Sequence, residues 1–303
     1  MPFRHLALGL VLCVLAVPAL AADVCDLPPR YGLSARAQAV IRTACNEHRL
    51  WYRSFIDREG RIARLEVTEA EAVDLSDQGM IAWQRVASYW REGGTLGAMA
   101  EIPGASSCEA PWGSRYLESD CRAFVLDNPW SAAFISWVMG RASVMGFQAS
   151  PRHIDYIRQA FNPAPGAPYR LEDPATGKPE PGDLLCFLRD RDQPLGYAGL
   201  RQALAEDRTA NWKTHCDVVV ATNIGGDRTA YIIGGNVMNT VMMRMLPLDR
   251  AGRLQPATEG TGAATSVLHA ECSPGQPQLC DLNRKDWAAL LKLQSTIPAQ
   301  PAR

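Results

Sequence analysis

The sequence predicts an α+β fold, on three observations. Apolar residues recur at helical steps of three or four through the first half of the chain. Beyond Pro179 the pattern changes to short strand-like runs, and the helical runs precede the strand runs instead of alternating with them. With 303 residues, 47% of them hydrophobic, the chain can bury a sizeable core around such a layout.

The elements follow in order. Arg4 and His5 precede the apolar run Leu6 to Val17, which ends in Pro18-Ala19-Leu20-Ala21-Ala22. A charged start, a short apolar stretch and small residues behind it form the pattern of a cleaved secretory signal over residues 1–21. The run is too short to cross a bilayer, which takes about 20 residues. Leu12 also stands where a lipid anchor on Cys13 would need a small residue. The expected product is periplasmic or secreted, with no stable membrane anchor.

Residues 22–119 read as a helical segment. Ser34 is placed to cap a helix running to about Asp57, with Ala37, Ile41, Ala44, His48 and Trp51 on one face. Gly60 interrupts, and Ile62 to Val67 suits a short strand. A second helix, about Ser76 to Arg91, carries Ile81, Val86, Tyr89 and Trp90 and stops at Gly93-Gly94. Ile102 to Glu118 is rich in Gly, Ser and Pro and reads as a loop.

Residues 120–250 hold the core. In Asp127-Asn128-Pro129-Trp130-Ser131-Ala132-Ala133-Phe134, Asn128 suits an N-cap and Pro129 the first helical position, which puts Ser131 in the first turn. This helix is apolar nearly all round and is expected at the centre of the fold. A third helix covers Pro151 to Phe161. Runs at 182–187, 215–221, 229–235 and 240–246 suit an antiparallel meander, with a helix-like Leu200 to Glu206 in the long first connection. Residues 251–303 read as an irregular tail with one short helix near Trp287.

Charge and cysteine content narrow the function. Basic and acidic side chains number 31 and 32, and the arginines are scattered among carboxylates, so nucleic acid is excluded as a partner. No cofactor-binding motif occurs, and neither CxxC nor HExxH spacing suggests zinc. Removing Cys13 with the signal leaves eight cysteines, an even count that suits disulfides in an oxidising compartment. Pairing sequence neighbours closes short local loops: Cys25 with Cys45, Cys108 with Cys121, Cys186 with Cys216, Cys272 with Cys280. Nothing in the sequence sets the oligomeric state.

One constellation carries chemistry. A glycine turn at Ile224-Gly225-Gly226-Asp227 sets a hairpin register that places His215 opposite Asn236, where cross-strand Cβ atoms lie about 5 Å apart. Asn236 is then the expected orienting partner of the imidazole. Asp217, two residues along on the same face, is the alternative orienter, its simpler reading being a solvated or capping carboxylate. Ser131 stands at a helix N-terminus, where free N–H groups favour developing negative charge. Cys216 points away from His215 and suits a disulfide with Cys186 better than a nucleophile's role. His153 is a candidate wall residue whose simpler role is packing or capping, and Asp183 is expected to brace the turn into its strand.

Pro129-Trp130-Ser131-Ala132-Ala133-Phe134-Ile135-Ser136-Trp137, then Gly182-Asp183, then His215-Cys216-Asp217-Val218, then Gly234-Gly235-Asn236 resembles the CHAP and NlpC-type branch of the papain-like superfamily. The likeness spans roughly residues 120 to 250. With His153-Ile154-Asp155-Tyr156, it is closer still to the family called domain of unknown function 2272. The resemblance implies a papain-like fold, with a buried helix packed on an antiparallel sheet, and a peptidase or amidase acting on peptidoglycan or a peptide.

In that branch the helix opens with the nucleophilic Cys, where this chain has Ser131; His215 and Asn236 match the base and its orienter. A thiol near pKa 8.5 ionises beside an imidazolium, but a hydroxyl needs a general base that is itself oriented by a carboxylate. Ser131, His215 and Asn236 are therefore a mismatched set unless Asp217 takes over. The alternative is a module that kept the cleft, lost the thiol and binds wall peptide or a partner protein without turnover.

Overall fold

The structure, a computed structural model, describes residues 23–189, 195–207, 209, 211–255, 272–277 and 280–294. The expected signal at 1–21 lies outside them. The architecture is α+β: six α-helices and a sheet of eight strands among the described residues. None of these helices is long and apolar enough to cross a membrane.

Helix α1 (Ala35–Leu50) starts where Ser34 Oγ accepts from the Ala37 N–H, a side-chain cap that satisfies a donor the helix cannot. It ends seven residues before the expected Asp57, because Tyr52 and Arg53 turn the chain at positive φ into β1 (Ser54–Ile56). Then follow β2 (Ile62–Arg64) and α2 (Ala82–Glu92). A further helix, α3 (Arg115–Asp127), begins in the last residues of the stretch expected as a loop and runs on beyond it, capped by Ser114 Oγ on the Leu117 N–H. Its buried Cys121, Phe124 and Val125 follow helical spacing, a signal hidden by the Gly- and Pro-rich run before it.

That helix changes the assignment of Asn128. Its backbone N–H and its side-chain Nδ2 both bond the Phe124 carbonyl, so Asn128 closes α3 instead of opening the next helix. Helix α4 (Ser131–Arg141) begins two residues later than expected, with Trp130 at its N-cap and Ser131 at its first position. Ser131 through Met139 are all buried, as the apolar pattern requires. Trp130 stacks on Trp51 and Tyr89 at 5.8 and 5.6 Å, fixing α4 against α1 and α2. Helix α5 (His153–Phe161) is tied to α4 through Tyr156, whose hydroxyl lies 2.7 Å from the Ala132 carbonyl.

The sheet completes the frame. Strands β3 (Tyr169–Glu172), β4 (Leu184–Leu188), β5 (Thr214–Thr222), β6 (Thr229–Val237), β7 (Thr240–Pro247) and β8 (Asp286–Leu293) join β1 and β2, with α6 (Gly196–Glu206) between β4 and β5. Their order is β2-β1-β7-β6-β5-β4-β8-β3, so the expected meander β4 to β7 is present. All pairings are antiparallel except β1 with β7. The run near Trp287, expected as a short helix in an irregular tail, is β8, inserted between β4 and β3. A continuous apolar run such as Trp287-Ala288-Ala289-Leu290-Leu291 fits a buried strand as well as a helix. Asp183 braces this junction: Oδ2 accepts from the Glu180 N–H, Oδ1 from the Leu293 N–H, and Lys292 lies 2.6 Å away.

All four neighbour pairs of cysteines are disulfide-bonded: Cys25–Cys45, Cys108–Cys121, Cys186–Cys216 and Cys272–Cys280. Cys186 and Cys216 are directly opposed on β4 and β5. Alternation along β5 sends Cys216, Val218 and Val220 into the main core with the helices. Val219 joins Leu185, Ile232 and Leu290 in a second cluster, and His215 and Asp217 share that second face.

Candidate functional site

Two helix N-termini meet at the candidate site. Ser131 opens α4 and His153 opens α5, and neither helix has a side-chain cap from the residue before it. The Ser131 hydroxyl is therefore free of capping duty and lies 2.8 Å from His153 Nε2. Both residues are buried, at 5% and 3% exposure. The first backbone bond of α4 runs from the Phe134 N–H to the Trp130 carbonyl, so the N–H groups of Ser131, Ala132 and Ala133 have no acceptor within their own helix.

Burial, with His215 and Arg189 nearby, holds the His153 pKa well below the usual imidazole value. Two positive helix ends act in the same direction. A neutral His153 with Nε2 accepting from Ser131 carries its proton on Nδ1, which is buried without a hydrogen-bond partner.

The second half of the site is strand-borne. His215 Nε2 and Asp217 Oδ1 are 2.8 Å apart, both fully buried. Arg189 Nη2 donates to His215 Nδ1 at 2.9 Å, so Nδ1 is the acceptor and Nε2–H donates to Asp217. Burial, together with Arg189 and Arg244, lowers the His215 pKa against the pull of Asp217. Burial alone would raise that of Asp217, but His215, Arg244 and Arg189 hold it below the ordinary carboxylate value. The pair is a neutral imidazole on an ionised carboxylate. The His215 ring lies between those of Phe187 and His153, at centroid distances of 5.1 and 5.3 Å.

The Gly234-Gly235 pair makes this fit possible. A Cβ on Gly234 would stand 1.7 Å from Asp217 Oδ1 and 3.0 Å from His215 Nε2. A Cβ on Gly235 would stand 2.5 Å from Phe134 Cβ and 2.7 Å from Trp130. Strand β6 thus presses its bare backbone on the polar pair and, through the next residue, on α4.

The candidate residues fall out as follows. The structure brings Asp217 to His215 and joins Ser131 to His153 rather than to His215. It does not bring Asn236 to His215. The β5–β6 ladder keeps the expected register at Val218↔Ile233 and Val219↔Ile232 but goes no further toward His215. Asn236 sits at φ +55° in the irregularity between Gly234 and Val237, and both His215 nitrogens are taken by Arg189 and Asp217. The bulge breaks the register that placed Asn236 opposite the ring.

Arg189, Arg244 and Lys285 were not anticipated. Arg244 carried a signal, a lone cation in the apolar strand Met242-Met243-Arg244-Met245. Its Nε lies 3.5 Å from Asp217 Oδ2. Elsewhere, Asp23, Cys25 and His48 have metal-compatible spacing, but Cys25 is disulfide-bonded and Asp23 and His48 bond Arg53 and the Ser54 carbonyl. That group does not suit a metal ion.

No curated protein and no solved structure matches the chain. The family model described as an uncharacterized protein conserved in bacteria, domain of unknown function 2272, matches residues 77–293 and so covers α2 to β8 with the whole site. The chain belongs to that family.

Proposed function

We propose that the chain is an exported amide-bond hydrolase of papain-like architecture, acting on peptidoglycan or another peptide, with Ser131 as nucleophile. The observation that carries this reading is the 2.8 Å contact between Ser131 Oγ and His153 Nε2 at the start of a buried helix. It replaces His215 with His153 as the base. Four disulfides fit the oxidising compartment in which an exported chain works.

In this mechanism Ser131 Oγ attacks the amide carbon while its proton passes to His153 Nε2. The oxygen that becomes negative is met by N–H groups at the start of α4. Collapse of the tetrahedral intermediate breaks the C–N bond, and His153 returns the proton to the leaving amine. Water, deprotonated by His153, then releases the acyl group and restores Ser131. His215 stays neutral through the cycle because both nitrogens are committed, so it places no second positive charge against the protonated His153.

A binding module without turnover is the second reading. It is favoured by the near-complete burial of Ser131 and by the unpartnered Nδ1 of His153, which lacks the carboxylate that orients the base in serine hydrolases. Purified peptidoglycan incubated with the mature chain, and fragments read by mass spectrometry, separates the two. Release of peptide fragments, lost in Ser131→Ala and His153→Ala, supports the hydrolase. Binding with no release, restored to cleavage by Ser131→Cys, overturns it in favour of the module.

A further inference from the structure

The base of the proposed reaction lacks the group that normally aims one. His153 Nε2 meets Ser131, while Nδ1 has no hydrogen-bond partner among the described residues. In a serine hydrolase a carboxylate on that second nitrogen holds the ring. Here the aim of the ring depends on where α5 stands against α4, so the side chain that fixes that distance sets the contact.

Tyr156 is such a side chain. It lies one helical turn on from His153, with its ring edge-on to the imidazole at 5.7 Å. Its hydroxyl lies 2.7 Å from the carbonyl of Ala132, the residue next to Ser131. The same hydroxyl meets Ser136 Oγ and the Ser150 carbonyl. Ser136 Oγ accepts from the Ser150 N–H and lies 3.1 Å from the Ser150 carbonyl. Two hydroxyls thus carry two protons for two carbonyls, and with Ser136 directed at Ser150 the Tyr156 proton goes to Ala132. Burial raises the Tyr156 pKa, so the hydroxyl keeps that proton. Ser150 also anchors the start of α5: its Oγ accepts from the Arg152 N–H and lies 2.6 Å from Asp155 Oδ2. Tyr156, Ser136 and Ser150 are all buried, so water competes little for these bonds.

We infer that Tyr156 is a positioning residue of the site: its hydroxyl, on the Ala132 carbonyl, sets the spacing of α4 and α5 at which His153 Nε2 reaches Ser131. That this contact serves hydrolysis rests on the proposed function; the spacing rests on the hydrogen bonds alone. The hydroxyl is committed to backbone carbonyls and to Ser136, so Tyr156 acts through the placement of His153.

The test is the nitrogen NMR shift of His153 Nε2 in the full mature chain. Ser131→Ala gives the position of that resonance with no serine hydroxyl to accept from. Tyr156→Phe keeps the ring against Phe147 and removes the hydroxyl. The Nε2 resonance should then move most of the way to its Ser131→Ala position, and turnover on purified peptidoglycan should fall about tenfold or more at unchanged KM. Ser136→Ala leaves one proton for two carbonyls and should move the resonance the same way by less; it decides the matter if Tyr156→Phe does not fold. Tyr169→Phe deletes another buried hydroxyl, one that bonds the Gly182 carbonyl and not Ala132, and should leave the resonance in place. A resonance unmoved in Tyr156→Phe, unmoved in Ser136→Ala where Tyr156→Phe does not fold, or moved as far by Tyr169→Phe overturns the role. A shifted resonance with unchanged turnover, or with no cleavage at all, leaves the placement standing and rejects His153 as the base of a hydrolase. Cleavage lost in Ser131→Ala and His153→Ala, with resonance and turnover unchanged in Tyr156→Phe, does the reverse.

Discussion

Two buried histidines 5.3 Å apart in this chain have opposite company. His153 opens a helix, touches one hydroxyl and leaves its second nitrogen without a partner. His215 lies on a strand with both nitrogens engaged, one by Arg189 and one by Asp217. The comparison teaches that the better-oriented histidine is the less available one. A ring whose lone pair already accepts from arginine cannot take a proton from serine, whereas an under-satisfied ring can.

The largest effect expected from this difference is catalytic. Ser131→Ala and His153→Ala should each cut release of peptide fragments by about 10²-fold or more, the scale of a lost general base. Asp217→Asn should lower it less, since the carboxylate never meets the serine. Equal losses at His153 and Asp217, measured as initial rates on purified peptidoglycan, would break the distinction.

Stability should rank the two the other way. Asp217→Ala removes the carboxylate from a buried pair and leaves Arg244 uncompensated, at a cost of about 3–5 kcal/mol. Ser131→Ala removes one hydrogen bond and should cost only about 1 kcal/mol. Denaturant melts of both variants check the order. Gly234→Ala should also destabilise, through the collision of its Cβ with Asp217 Oδ1, and it should do so less in an Asp217→Ala background.

The smallest effect is in pH. His153 and His215 are held neutral in the fold but protonate near pH 6.5 when unfolded, so the unfolded state binds more protons below that value. Their stabilising contribution is complete above about pH 6.5 and falls as pH drops below it. Imidazole nitrogen shifts should report both rings titrating below the usual histidine value, His153 the further of the two. A His153 midpoint at or above the usual value would mean that its site is wetter than the structure shows.

Glu69 offers a control of opposite sign away from the site. Burial raises its carboxyl to about 7, so the folded state holds an extra proton that is lost as pH rises. Glu69→Gln should therefore raise the melting temperature at alkaline pH and change little in acid.

The sequence carried much of this fold and half of the site. Disulfide pairing was legible because each loop closes between near neighbours. The His215–Asp217 pair was legible because residues two apart on a strand share a face. The role of His153 was not: nothing local marks it as the partner of a serine 22 positions back, and only the packing of α5 on α4 brings them together. Asn236 failed for a related reason, since a bulge of a residue or two redirects every side chain beyond it. Strand β8 was hidden because an unbroken apolar run has no period to read.

The position of β8 has a consequence for how the molecule is made. Among the described strands, β3 pairs with β8 alone and β4 has β8 along one whole edge, yet β8 is the last of them to be synthesised. Until residues 286–293 emerge, one end of the sheet is two exposed edges separated by a gap. Removing residues 286–293 would therefore take an interior strand out of the sheet and leave β3 without the partner that ties it to β4.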